Sequence, residues 1–230
     1  MDESPKKSKA REVTEAAVTG VAGGVPIVGN ALAAAFSLAL GWGFNKRMEA
    51  WLDELAAAVS DLQDSTDGLT FEELADSPAF IDAVVNATRA AQATHQAEKL
   101  EALRNGVLNS LSPNAPSGDE QARFFRLIDQ FTPAHLRMLA FLNDPAQAFI
   151  DAGREVPELM MGGRGHLLED AMPEFRGRRD WYDLLARDID TASLAQANLH
   201  ATMSGGGLLT PATTELGRRF LRFIHNPDVT

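Results

Sequence analysis

Cysteine is absent from this 230-residue chain, and tyrosine occurs once. Without thiols, disulfides, zinc-thiolate sites and thiol catalysis are excluded together. That composition suits a reducing cytoplasm. Isoleucine is scarce, while alanine, leucine and arginine are common. Unbranched side chains lose little rotamer freedom in a helix, so the expected fold is all-α with very little strand. Net basic charge is missing too. The chain carries -11 overall, residues 1–15 balance four basic against four acidic groups, 46–117 sum to about -7 and 118–230 to about -4. A general nucleic-acid binder draws its affinity from phosphate neutralisation, so nucleic acid is disfavoured as a partner. No tandem repeat is visible.

Catalytic constellations are also lacking. His95, His135, His166, His200 and His225 are scattered, and no two of them lie at the spacing of a helical metal site. They read as surface or lightly buried residues, with no metal and no cofactor implied. Met161-Gly-Gly-Arg-Gly-His166 has the glycines of a phosphate loop without the Walker spacing or its Lys-Ser/Thr, and reads as a mobile loop. No serine elbow, carboxylate dyad or Ser-His-Asp set stands out, so the expectation is a non-enzyme. Thr94, His95, Glu98, Lys99 and Glu101 read as a solvated helix face. Arg164, Arg176, Arg178 and Arg179 form a candidate patch for an anionic partner, extended by Arg218, Arg219 and Arg222.

What is present is an unbroken uncharged stretch rich in glycine and alanine, from Ala16 to Asn45. The sequence predicts a disordered polar tail over 1–15, a flexible Val18–Val25 entry, and a helix from about Ile27 to Phe44. A secretory signal is the competing reading, but Asp2, Glu3, Glu12 and Glu15 acidify its n-region and glycines with Pro26 interrupt its apolar region. About 20 residues from Val25 to Phe44 match a bilayer-spanning length. Eight strongly apolar residues there, Leu32, Phe36 and Leu40 among them, give roughly -3 to -4 kcal/mol on an insertion scale. Pro26, Asn30 and the glycines offset much of that. Two rows of small residues, including Gly29, Ala33, Ser37 and Gly41, favour close helix-helix contact in a membrane or in a tight bundle. Two readings stay open: a buried hairpin against the next helix, or a helix that reaches the inner membrane and associates with its copies.

Downstream, Met48 to Leu62 reads as an amphipathic helix. Ser77-Pro78 starts a long helix to about Leu111. Ser112-Pro-Asn-Ala-Pro-Ser-Gly118 is the predicted domain boundary, dividing an N-terminal helical domain at 16–112 from a second at 119–230. Beyond it Asp119 caps a Phe-rich helix, Thr132-Pro133 and Asp144-Pro145 start two more, and Met160 to Arg179 reads as loose. Helices over 181–189 and 191–203 follow, then Gly205-Gly-Gly-Leu-Leu-Thr-Pro and a final helix at 214–224.

Leu194, Leu199, Gly207, Leu208 and Leu209, followed by Thr213-Thr-Glu-Leu-Gly-Arg-Arg-Phe-Leu-Arg-Phe-Ile224, resemble the closing segment of a winged helix. The resemblance implies a winged-helix-like C-terminal domain, with 191–203 as its recognition helix. That helix has no Arg or Lys for base edges, so packing or protein contact is the expected use. The layout as a whole resembles the abortive-infection alpha-like proteins of bacteria. It rests on the apolar helix ending in Asn45-Lys-Arg47, the Glu98-Lys-Leu-Glu-Ala-Leu-Arg-Asn-Gly-Val-Leu108 run, the Phe-rich helix before Thr132-Pro133, and Thr214-x-x-Gly217-x-x-Phe220. It implies a role in bacterial defence against phage; self-association, a protein partner and a cytoplasmic or inner-membrane location are the expectations drawn from the residues themselves. A winged-helix regulator and a plain interaction scaffold are the alternatives.

Overall fold

The computed structural model describes residues 31–65, 70, 73–74, 76–158 and 160–227, with side chains from Lys46 onward except that of Ser65. The predicted tail, the glycine-rich entry and Gly29 lie outside the described residues. The chain divides into a unit ending at Glu49 and a compact unit from Ala50 to the C-terminus. Helices dominate the described residues, and their only sheet has two strands.

Helix α1, Ala31–Ser65, runs for 35 residues without interruption. This overturns the expected stop near Phe44, and with it the hairpin reading. Asn45-Lys46-Arg47 contains neither Gly nor Pro, so the strongest stop signals are missing there. Gly41 and Gly43 each cost the helix about 1 kcal/mol relative to alanine without ending it. In the second unit α1 buries Trp51, Leu55 and Val59 at successive turns. Trp51 Nε1 donates to Thr88 Oγ1 at 3.4 Å, tying α1 to the next helix.

The predicted long helix is two helices. In α2, Pro78–Gln92, Ser77 Oγ accepts the Phe80 N–H, as expected of a cap before Pro78. The chain leaves helical geometry after Ala93 because Thr94 Oγ1 accepts the Gln96 N–H, a local side-chain bond that competes with helix propagation. Helix α3 then runs Ala97–Asn109. Of the expected solvated face His95, Glu98 and Glu101 are exposed, while Thr94 and Lys99 are buried. Lys99 Nζ reaches the Asp129 carbonyl at 2.7 Å.

Ser117, not Asp119, caps helix α4, Gly118–Gln130. The predicted boundary at 112–118 lies inside the second unit. On its two sides α3 packs against α4, and the closing helix α10, Glu215–Ile224, packs back on α3. Asn105 Nδ2 donates to the Ile224 carbonyl at 3.0 Å, and Asn109 Nδ2 to the Phe223 and His225 carbonyls at 2.9 and 2.8 Å. The aromatic core joins α4 and α10. Phe124 meets Phe220 and Phe223 at ring separations of 5.4 and 5.3 Å, and Phe125 meets Phe223 at 5.2 Å.

Helices α5, Pro133–Asn143, and α6, Pro145–Asp151, start at the expected Thr132-Pro133 and Asp144-Pro145 signals. The stretch expected to be loose is ordered into β1, Met161–Gly162, α7, Arg164–Ala171, and a 3-10 turn at Pro173–Phe175. Leu167, Leu168 and Phe175 explain this, since each is buried.

Helix α8 covers Arg179–Thr191, and the helix expected over 191–203 does not form. Ser193 takes a positive φ of 62°. The Ser193 and Leu194 N–H groups turn back to Asp190 and Ile189 carbonyls, the pattern of a left-handed helix end. Extended chain follows, with Ala195 bridged to Thr213. The residues placed on a recognition helix are therefore irregular backbone. The wing differs as well. Strand β2, Met203–Ser204, pairs antiparallel with distant β1, Met161 facing Ser204, and the glycines after it form the short helix α9, Gly205–Leu208.

Candidate functional site

Leu32, Ala33, Phe36, Ser37, Leu40 and Gly41 all fall on the α1 backbone, spaced four apart in two rows. Among the described residues no helix is long and apolar enough to cross a membrane.

The arginine patch does not assemble as a free cationic surface. Arg164 is buried, and its guanidinium donates to the Leu208, Gly207 and Thr210 carbonyls at 3.3, 3.0 and 2.6 Å. Burial holds its pKa below the ordinary value. It closes the C-terminal end of α9, satisfying carbonyls that a four-residue helix leaves open. Five of the other six face carboxylates. Arg176 pairs with Asp170 at 3.3 Å, Arg179 with Asp183 at 3.6 Å, and Arg219 with Glu120 at 2.8 Å. Arg218 and Arg222 share Glu215 at 2.8 and 3.5 Å. Arg178 lies over the Trp181 ring, 5.6 Å from its centroid. The phosphate-loop likeness also fails on geometry, because the Gly165 N–H donates to the Leu199 carbonyl at 2.8 Å.

Comparison with known protein families, curated proteins and solved structures finds no match.

Two histidines are held by carboxylates. His200 Nε2 lies 2.6 Å from Asp183 Oδ1 on an exposed surface beside Tyr182. Burial first, then the bond to Glu169, raises the Tyr182 pKa. His135 corrects the expectation of surface histidines, being 5% exposed and stacked on Phe131 at 4.7 Å. Its Nδ1 accepts the Thr132 N–H at 3.1 Å, which assigns the proton to Nε2, 3.3 Å from Asp188 Oδ2. Burial holds its pKa below the ordinary value; Asp188 opposes that shift and Lys99 adds to it. Among the described residues no group of three His, Asp or Glu side chains is placed to hold a metal ion.

A groove of about 610 Å³ lies between α3, α5 and α10. Along α3 its wall is Glu98, Glu101, Ala102 and Asn105, one helix face over two turns. Leu136 and Ala140 of α5 and Leu221 and Ile224 of α10 complete an apolar floor. Arg137 closes one rim, donating to both Glu98 oxygens at 2.6 and 2.8 Å, with Nε 3.3 Å from Glu174. That Nε is buried without a hydrogen-bond partner among the described residues. Glu101, on the same wall, is exposed and has no charged or hydrogen-bonding partner among them. Apolar clefts of this size with a few convergent polar groups are the usual form of a binding site. Sequence reasoning missed it, because it needs Leu221 of the last helix beside Glu101 of α3.

Proposed function

We propose that this chain is a non-enzymatic bacterial anti-phage defence protein that acts at the inner membrane through residues 16–45, while the unit from Ala50 onward receives a trigger or a protein partner. One observation carries the reading: α1 extends unbroken from the small-residue rows to the Trp51, Leu55 and Val59 anchor. The small residues favour association of several copies over insertion of a single weakly apolar helix. In this reading the winged-helix-like closing segment packs the unit together and reads no DNA.

The test is a deletion of residues 16–45 compared with the full chain, in membrane fractionation, dye release from anionic vesicles, and growth after expression. The proposal expects vesicle leakage and toxicity from the full chain and loss of both on deletion. Equal solubility, intact vesicles and equal toxicity for the two proteins would refute it.

A further inference from the structure

The apolar groove is matched in length and charge by a different surface of the same unit. Helix α2 packs Ala83, Ala87, Ala90 and Ala91 inward. Its outer face carries Ile81, 47% exposed, and Val85, 40% exposed, one turn apart. Arg89 continues that row by one more turn, is exposed, and has no charged or hydrogen-bonding partner among the described residues. From Ile81 to Arg89 the row is about 12 Å long; the groove wall from Glu98 to Asn105 is about 10.5 Å. Two apolar side chains followed by a guanidinium thus meet, in another copy, an apolar floor with the unpaired Glu101 carboxylate on its wall. Leu184, also exposed, offers a single apolar side chain with Arg187 beyond it, too short for a two-turn groove.

We propose that copies of this chain join head to tail, the Ile81-Val85-Arg89 face of α2 in one copy seating in the α3-α5-α10 groove of the next, with Arg89 against Glu101. Lining a groove with an apolar helix row is an established mode of recognition. The two surfaces differ, so the contact is heterologous and each assembly keeps one free end of each kind, which permits growth beyond a dimer. At a net charge of -11 copies repel one another, so the Arg89–Glu101 pair sets register and orientation more than affinity. Association through residues 16–45 is a separate event and would be indifferent to substitutions at 89 and 101.

The test uses the full chain, with sedimentation velocity over a concentration series at low and moderate salt. Glu101→Arg and Arg89→Glu alter exposed side chains, and an unchanged melting curve would establish that each variant folds. Each alone is expected to weaken association tenfold or more. Mixing the two variants restores both cross-contacts, position 89 of the Arg89→Glu chain with position 101 of the Glu101→Arg chain and Arg89 of the latter with Glu101 of the former, and should restore growth as an alternating assembly. A chain carrying both substitutions should regain growth. Val85→Asp, with both charges intact, should also abolish it. A wild-type chain that stays monomeric at every concentration overturns the proposal, as does association insensitive to all these changes. If Glu101→Arg weakens association and Arg89→Glu does not, the groove takes another occupant and the proposal also fails.

Discussion

Replacing Gly217 by alanine puts a methyl group where the fold has no room for one. In the middle of a helix Gly→Ala ordinarily stabilises by about 1 kcal/mol, because alanine has less backbone freedom to lose. Here the added Cβ would overlap the Leu194 carbonyl oxygen, and backbone cannot step aside as a side chain tip can. That oxygen also accepts the Thr214 N–H at 2.9 Å and Thr214 Oγ1 at 3.2 Å. Thr214 Oγ1 in turn accepts the Gly217 N–H at 3.0 Å, capping α10. Making room separates α10 from the 193–195 segment and loses the cap, about 1 kcal/mol, and a backbone hydrogen bond, about 1 kcal/mol. Loosened packing of Phe220 and Leu221 adds about 1–2 kcal/mol, the usual gain of about 1 kcal/mol is set against the sum, and the expected loss is about 2–3 kcal/mol. Urea unfolding read by far-UV circular dichroism would measure it as a lower midpoint at constant slope. Gly118→Ala, in α4 with nothing within 4 Å of the new methyl, is the control and should be neutral or mildly stabilising. If Gly217→Ala is as stable as the wild type, the close approach of α10 to Leu194 is wrong.

His135 should make stability pH-dependent. Its folded pKa is lowered from 6.5, so the folded state binds fewer protons, and its contribution is complete above pH 6.5 and declines as pH falls through and below that value. His135→Gln keeps a side-chain oxygen for the Thr132 N–H but cannot titrate, so the difference in urea midpoint between the two proteins should narrow from about pH 7.5 to about pH 5.5; parallel profiles would refute the assignment. Lys99→Ala removes the bond to the Asp129 carbonyl and leaves a buried void, and about 2–3 kcal/mol should be lost. Lys99→Met fills the same space and should cost about 1 kcal/mol; equal losses would show that the hydrogen bond, not packing, dominates.

Helix starts are legible in the sequence where the structure is decided locally. Ser77-Pro78, Thr132-Pro133, Asp144-Pro145 and Thr214 start helices because a cap and a proline act within one turn. Breaks were harder. The Thr94 hydroxyl ends one helix and frees the next, yet a threonine in an alanine-rich run looks like a tolerated helix residue. The irregular 192–202 segment is held by Ala195, Gln196 and Thr214 meeting backbone from elsewhere in the chain, and helix propensity yields to such pairing. The arginines were recognisable as charges but not as members of pairs, because Glu120 lies 99 residues from Arg219. The groove was illegible for the same reason.

Asn105 and the Ile224 carbonyl it holds are 119 residues apart. On a ribosome α3 is complete long before α10 exists, so Gly106, which lies against the Phe223 and Phe125 rings, lacks its Phe223 neighbour for the interval in which about half the chain is made. The core can close only after α10 clears the exit tunnel. Folding of this unit is therefore a late event in synthesis, limited by closure of a loop that spans most of the unit. A nascent chain stalled before residue 215 would present the inner face of α3 to chaperones.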